Sequence, residues 1–303
     1  MNETNRKHTL TLNIAGFVIQ LRAEVVIKPE AGYRNFIVSG EHEPDILVEC
    51  RRMMDNGNVM EGAVPVFSSA SATQKFYDVY RRNDELLFAI HDQQHESRIQ
   101  QYALLDGSMK HWTIWSAEKE GTLDPLAYPM GPVLLYYACL TADAVMMHAS
   151  GVFDGTTGRL FSGFSGAGKS TISNLWKQRG NQLINDDRLI IRREDNRYFI
   201  HNTPMFYRDE RKNAPLDAVY LIHHAPENIL TPVTGAAAVT GIMAFSIQNN
   251  YDPRFVQHHL DFFTEMCVHI PVYRLGFVPD ESVVDFCTRS SGFGPFDRLP
   301  GKR

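Results

Sequence analysis

Net positive charge, paired cysteines, internal repeats and a long unbroken apolar run are all missing from this 303-residue chain. Its four cysteines, Cys50, Cys139, Cys267 and Cys287, are scattered and form no C-x-x-C pair. That excludes a zinc ribbon and a disulfide framework, and a cytoplasmic protein with reduced thiols is the expectation. The formal net charge of −5 leaves no electrostatic footprint for nucleic acid or an anionic membrane. The first residues, Met1 to Lys7, lack the apolar centre of a signal peptide. The most apolar stretch, Gly131 to Met147, is short for a bilayer span and carries Asp143 within it. A buried helix leading into a strand is expected there instead. No low-complexity segment and no repeat period is found.

What remains is an ordinary globular composition, 44% hydrophobic and 21% charged, on a chain long enough for two units. The expected division is a β-rich N-terminal domain over 1–125 and an α/β domain over 126–303. In the first part Leu10, Leu12 and Ile14 alternate with polar residues, Ala15-Gly16 can turn, and Phe17, Ile19 and Leu21 alternate again. Phe76 to Tyr80 and Leu86 to Ile90 predict a hairpin, and Tyr102 to Leu105 and Trp112 to Trp115 predict another around Asp106-Gly107. Together they read as a meander with nothing catalytic converging on it. The second part alternates strands and helices. Thr234 or Thr240 is a candidate helix cap, and Asp252-Pro253 is a good helix start. The helix that follows would bury Val256, Leu260, Phe263 and Cys267 on one face. Ser290 to Arg303, rich in Gly and Pro, reads as a loosely held tail.

The stretch Gly163-Phe164-Ser165-Gly166-Ala167-Gly168-Lys169-Ser170-Thr171 fits G-x-x-x-x-G-K-[ST], the phosphate-cradling P-loop. Glycines there let backbone N–H groups close around a polyphosphate. Lys169 would sit on the β/γ-phosphates and the Ser170 hydroxyl would hold Mg²⁺. The context agrees: Leu160 and Phe161 end a strand before the loop, Ile172, Leu175 and Trp176 follow at helical spacing, and Gly180 can stop the helix. An anion would therefore face a helix N-terminus. Gly163, Ser165, Gly166, Ala167, Gly168, Lys169, Ser170 and Thr171 are the expected nucleotide-binding residues.

Asp186 follows Lys169 by 17 residues, room for a helix and a return strand, and Asp187 is its neighbour. Side chains that adjoin on an extended segment point to opposite faces, unless a turn brings both inward. One carboxylate can then approach metal and phosphate while the other serves as base for an incoming hydroxyl. Arg188, Arg192, Arg193 and Arg208 are candidate stabilisers of a transferring phosphoryl group, with Arg208 singled out. The pairs His223-His224 and His258-His259 diverge on a strand or helix, so packing or solvation explains them better than a metal.

These runs, with His148-Ala149-Ser150-Gly151-Val152, Asn185-Asp186-Asp187-Arg188, Thr203-Pro204-Met205-Phe206, Ala214 to Leu221 and Ile270 to Leu275, resemble the kinase domain of HPr kinase/phosphorylase. They resemble more closely that enzyme's uncharacterised relatives within the phosphoenolpyruvate-carboxykinase-like P-loop group. The resemblance spans roughly the C-terminal half. It implies a P-loop kinase domain, ATP and Mg²⁺ as cofactors, and a possible homo-oligomer. Of the Asp pair it implies one base and one residue near the metal. We take Asp187 as base and Asp186, with Ser170, as the metal side, although the sequence leaves the two roles interchangeable. It further implies contact of His148 with phosphate or substrate.

The chain departs from the family's pattern in three places. The glycine-rich signature for the protein substrate is absent, Tyr207 to Pro215 being charged instead. Asn181 stands where a His precedes the Asp pair, and the N-terminal half differs altogether. The expected acceptor is accordingly a hydroxyl of a peptide, protein or small molecule rather than HPr. The alternative is a nucleotide-binding regulator without turnover. A GTPase ranks last, because no N-K-x-D motif occurs, and a carboxykinase would lack room for an oxaloacetate site.

Overall fold

The computed structural model describes residues 8–56, 58–95, 98–205 and 207–290. Met1 to Lys7, Phe206 and the expected tail beyond Ser290 lie outside the described residues. The architecture is mixed α/β, rich in strands and with few helices. The chain divides into two compact units, one of Met1–Ala142, Pro204–Arg211 and Asn249–Pro253, the other of Asp143–Thr203, Lys212–Gln248 and Arg254–Arg303.

The first unit is built on an eight-stranded sheet. His8–Ile14 and Phe17–Ala23 form the hairpin expected from their alternation, with Ala15 and Gly16 both at positive φ in the turn. Lys75–Arg82 and Glu85–His91 pair as expected. The sheet is not a simple meander, however. Ile46–Arg52 lies parallel to both Phe17–Ala23 and His111–Ser116, between them. The hairpin of Ile99–Leu105 and His111–Ser116 also differs from a two-residue Asp-Gly turn. The left-handed residue is Met109 (φ 60°), and the Asp106 carboxylate closes the loop by accepting from Ser108 Oγ and His111 N. Helix Met130–Cys139 belongs to this unit, where a boundary after residue 125 would exclude it. Tyr137 explains why: its ring packs edge-on against Phe88 and Trp112 of the sheet at 5.2 and 5.8 Å.

The second unit contains two sheets. A mixed one runs Gln182–Asn185, Ser150–Phe153, Gly158–Ser162, Ala218–His224, Val272–Phe277 and Ile229–Val233. An antiparallel one runs Ala144–His148, Arg188–Glu194, Arg197–Asn202 and Asn213–Pro215. The central strands of the mixed sheet are covered on both faces, so successive residues enter different cores. Leu160 and Val219 join Val145, Leu189, Ile242 and Phe263 in one core. Phe161 and Tyr220 join Ile172, Trp176, Phe277 and Val283 in the other. Helix Lys169–Gln178 and helix Ser282–Ser290 cover this second face. Gly180 (φ 82°) follows the former.

Two helix expectations are met only in part. Thr234 is the N-cap residue of Gly235–Met243, as expected of one of the two threonines, but makes no side-chain cap bond, and Thr240 lies inside that helix, donating to Ala236 O. In Pro253–His269 the buried face is Phe255, His259, Phe262, Phe263 and Met266, whereas Leu260 is exposed. The apolar stripe is carried by the phenylalanines, with a histidine whose Nδ1 lies 2.8 Å from Phe255 O filling a core position.

Arg159, only 1% exposed, sits just upstream of the glycine-rich stretch Gly163 to Gly168. Its guanidinium lies 4.5 Å from the Trp176 ring centre and pairs with Asp154. Burial works to raise the Asp154 pKa, but Arg159 and the Thr156 and Thr157 donors overcome it and hold the carboxyl down to about 2. This depressed folded pKa contributes stability above the usual carboxylate range that is lost as pH falls towards 2. Arg159→Met is expected to cost about 3–5 kcal/mol, because it leaves a partly buried carboxylate unpaired. In urea titrations at pH 7 and pH 3 the deficit should shrink at the lower pH; an undiminished deficit would contradict the pairing.

Candidate functional site

Strand Gly158–Ser162 delivers the chain into the loop Gly163–Gly168, and helix Lys169–Gln178 leaves it. Gly166 and Gly168 both adopt left-handed backbone, at φ 81° and 96°. A Cβ on Gly168 would stand 2.7 Å from Phe277 Cζ, while one on Gly166 would meet nothing within 4 Å. Gly168 is the N-cap residue and offers no side chain to the first helical turn. The free amides of that turn are what an anion would use. Ser165, Gly166, Ser170 and Thr171 are exposed, and Ala167 is half-buried with its N–H donating to Phe164 O.

Lys169 is buried, 7% exposed, and its Nζ donates to the carbonyls of Gly163 (2.9 Å) and Phe164 (3.2 Å). Burial lowers its pKa from the ordinary lysine value, and the Asp187 carboxylate opposes that shift. Lysine and aspartate are thus within electrostatic reach, although the chain separates them by a helix and a strand.

Asp186 and Asp187 occupy a bend between strand Gln182–Asn185 of the mixed sheet and strand Arg188–Glu194 of the antiparallel one. Asn185 makes this bend. Its buried side-chain oxygen accepts from Asp186 N (2.7 Å) and Asp187 N (3.1 Å), an Asx turn. The two carboxylates therefore do not follow strand alternation. Asp187 O also accepts from Ala149 N at 3.1 Å, which ties the bend to the residue after His148. His148 Nδ1 lies 3.2 Å from Asp187 Oδ1, and Arg188 Nη1 lies 3.9 Å from Asp187 Oδ2. The imidazole N–H lowers the Asp187 pKa most; burial opposes it, and the charges of Arg188, His148 and Lys169 add to the lowering. Asp187 is held ionised below the usual carboxylate range.

Asn185 is a site residue that motif reading passed over, although an Asn before two acids at a strand end is an Asx-turn signal. The segment after helix Gly235–Met243 is another. Phe245 O accepts from His148 N (3.3 Å), and the Phe245 ring meets the exposed Phe164 ring edge-on at 4.9 Å. Nothing in the sequence links residue 245 to the loop Gly163–Gly168.

The remaining expected residues are dispersed. Arg208 belongs to the first unit, where its Nε donates to Asn35 Oδ1 at 3.3 Å. Arg192 pairs with Ala144 in the antiparallel sheet, and Arg193 donates to Asn196 Oδ1. His258 Nε2 and His259 Nδ1 each address a separate backbone carbonyl, so packing accounts for that pair. Among the described residues no three His, Cys, Asp or Glu side chains form a metal-binding group. Mg²⁺ does not require one, since it keeps waters and phosphate oxygens and takes only one or two protein oxygens. The Ser170 hydroxyl and the Asp186 carboxylate are hard oxygen donors of that kind. No helix among the described residues is long and apolar enough to cross a membrane.

No family model matches this chain, and no curated protein matches it. Among solved structures, the Hpr(Ser) kinase/phosphatase from Coxiella burnetii aligns at 12% identity with a TM-score of 0.30, covering 49% of this chain and 96% of that one. The functional reading therefore rests on the residues of the site.

The two loop glycines make a quantitative prediction. Gly166→Ala should cost about 1–2 kcal/mol, the left-handed penalty alone. Gly168→Ala should cost about 1–3 kcal/mol more, because its Cβ also overpacks the Phe277 ring. Urea unfolding of the two variants side by side checks the ordering, which equal midpoints would contradict.

Proposed function

We propose that the second unit is a P-loop phosphotransferase domain of the phosphoenolpyruvate-carboxykinase/HPr-kinase type, an ATP- and Mg²⁺-dependent kinase. Its acceptor is a hydroxyl of a peptide, protein or small molecule. One observation carries this reading: a carboxylate held ionised by an imidazole lies within electrostatic reach of the P-loop lysine. Phosphoryl transfer asks little else of a protein than to position the phosphates, neutralise charge and orient the nucleophile.

In this reading the uncapped amides at Gly168–Ser170 and the Lys169 ammonium hold the polyphosphate. Lys169 exchanges its Gly163 and Phe164 carbonyl partners for phosphate oxygens. Ser170 and Asp186 would hold Mg²⁺, which when bound supplies charge neutralisation on the phosphate oxygens. Asp187 takes the proton of the acceptor hydroxyl as its oxygen bonds to the γ-phosphorus and the bond to the β-phosphate oxygen breaks, releasing ADP. His148 holds Asp187 ionised and oriented, and Asn185 shapes the bend that presents it. Arg188 adds positive charge beside Asp187.

Incubation with γ-labelled ATP, Mg²⁺ and a panel of hydroxyl-bearing peptides tests the reading. Wild type should transfer label, while Lys169→Ala and Asp187→Asn should lose it by at least about a hundredfold, the scale of a general base. ATP binding without transfer in the wild type would instead identify a regulator. The pH profile adds a separate check. A depressed Asp187 pKa keeps the base ionised as pH falls through the usual carboxylate range, so wild-type activity should persist there. In His148→Ala the acid limb should move to higher pH.

A further inference from the structure

The strands that carry His148 and Arg188 at one end meet a different group of side chains at the other. Ala144 pairs with Arg192 and His148 with Arg188, so this far end lies about 13 Å along the strand from the candidate site. There Arg193 N donates to Asp143 O at 2.8 Å. A cleft of about 460 Å³ opens between Asp143, Arg193, Tyr198, His258, Asp261 and Glu265. The last three share one face of helix Pro253–His269.

Tyr198 makes this more than an acidic surface. It is 3% exposed, its ring meets Phe262 edge-on at 5.7 Å, and its hydroxyl has no hydrogen-bond partner among the described residues. A shielded hydroxyl left unpaired is costly, and its presence on the wall of a cleft calls for a partner from outside the chain. Burial raises its pKa; Arg193 opposes that, and Glu265 and Asp143 reinforce it, so the hydroxyl stays protonated.

The charges decide the kind of partner. Asp143, Asp261 and Glu265 face a single guanidinium, Arg193, which is 3.9 Å from Glu265 and also donates to Asn196. Asp261 accepts from Gln257, and Glu265 lies 3.3 Å from His269 Nε2. His258 Nε2 is 2.9 Å from Ala144 O. A carbonyl only accepts, so that nitrogen is a donor already engaged by the chain. Three carboxylates outnumber the one guanidinium of the lining, which disfavours an anion. No three ligating side chains group closely enough for a metal ion among the described residues.

We propose that this cleft is a second binding site, distinct from the P-loop, which takes an organic cation (a primary ammonium or guanidinium group) on the Asp143, Asp261 and Glu265 carboxylates, with the Tyr198 hydroxyl as a fixed neutral partner. Tyr198 and Phe262 line the same cleft and offer apolar surface to the cation's stem. A free polyamine and a basic side chain of a polypeptide share this chemistry.

Calorimetric titration of the full chain with spermidine, and separately with a blocked arginine peptide, tests the site. Saturable binding is expected for at least one probe, and the probe that binds identifies the source. The double variant Asp261→Asn/Glu265→Gln should weaken it at least tenfold and Tyr198→Phe about fivefold or more, as loss of a hydrogen bond to a charged group implies. Lys169→Ala should bind the probe as wild type does, so the result does not depend on the kinase reading. Both changes in the double variant are on exposed residues, which keeps the test independent of any folding defect in Tyr198→Phe. No saturable binding of either probe would overturn the proposal, as would undiminished binding by the double variant. Undiminished binding by a folded Tyr198→Phe would overturn it too.

Discussion

A lysine ammonium withdrawn from water needs acceptors, and Lys169 finds them in its own loop, on the Gly163 and Phe164 carbonyls. The compensating charge comes from elsewhere, from Asp187 at the bend between two sheets. Much of the second unit's layout brings these two charges within electrostatic reach. The loop must curl back over its lysine, which the left-handed glycines at 166 and 168 allow. The bend must turn a carboxylate inward against strand alternation, which the Asn185 side chain does by capturing two consecutive amides.

The sheet supplies the rigidity on which these short-range contacts rely. Strand Gly158–Ser162 is buried along its whole length. With Leu160 in one core and Phe161 in the other, the strand cannot slip by one residue without exchanging its two faces. Arg159, set between Asp154 and the Trp176 ring, links the strand before the loop to the helix after it. The loop itself is left exposed, and the ring of its Phe164 rests on Phe245.

Two different electrostatic environments occupy the ends of one strand pair. At the His148 end, an imidazole and the Arg188 guanidinium flank the Asp187 carboxylate. At the Asp143 end, carboxylates outnumber a single arginine. Short-range order within the same sheet thus separates opposite charges by a few residues, which is possible because screening limits each to its own surroundings.

How far the sequence reaches depends on the range of the forces involved. Turns and periodic patterns are local, so the hairpin at Ala15-Gly16, the P-loop strand and helix, and strand Val272–Phe277 were legible from residue order alone. The Asp106 loop was read less well, because the Asp106 carboxylate closes it several residues on and moves the left-handed position to Met109. The buried face of Pro253–His269 was missed, because apolar spacing could not foretell that a histidine would occupy a core position. Ile46–Arg52 entered the first sheet in parallel, a pairing between distant segments that no local signal encodes. By itself, then, the sequence determined the glycine-rich loop between strand and helix and the acids that follow it. Only the tertiary structure decided that Asp187 pairs with His148 and lies within electrostatic reach of Lys169, that Asn185 and Phe245 belong to the same neighbourhood, and that Arg208 lies in the other unit. Those relations depend on which distant strands lie side by side, and that is set by the burial of apolar surface over the whole unit.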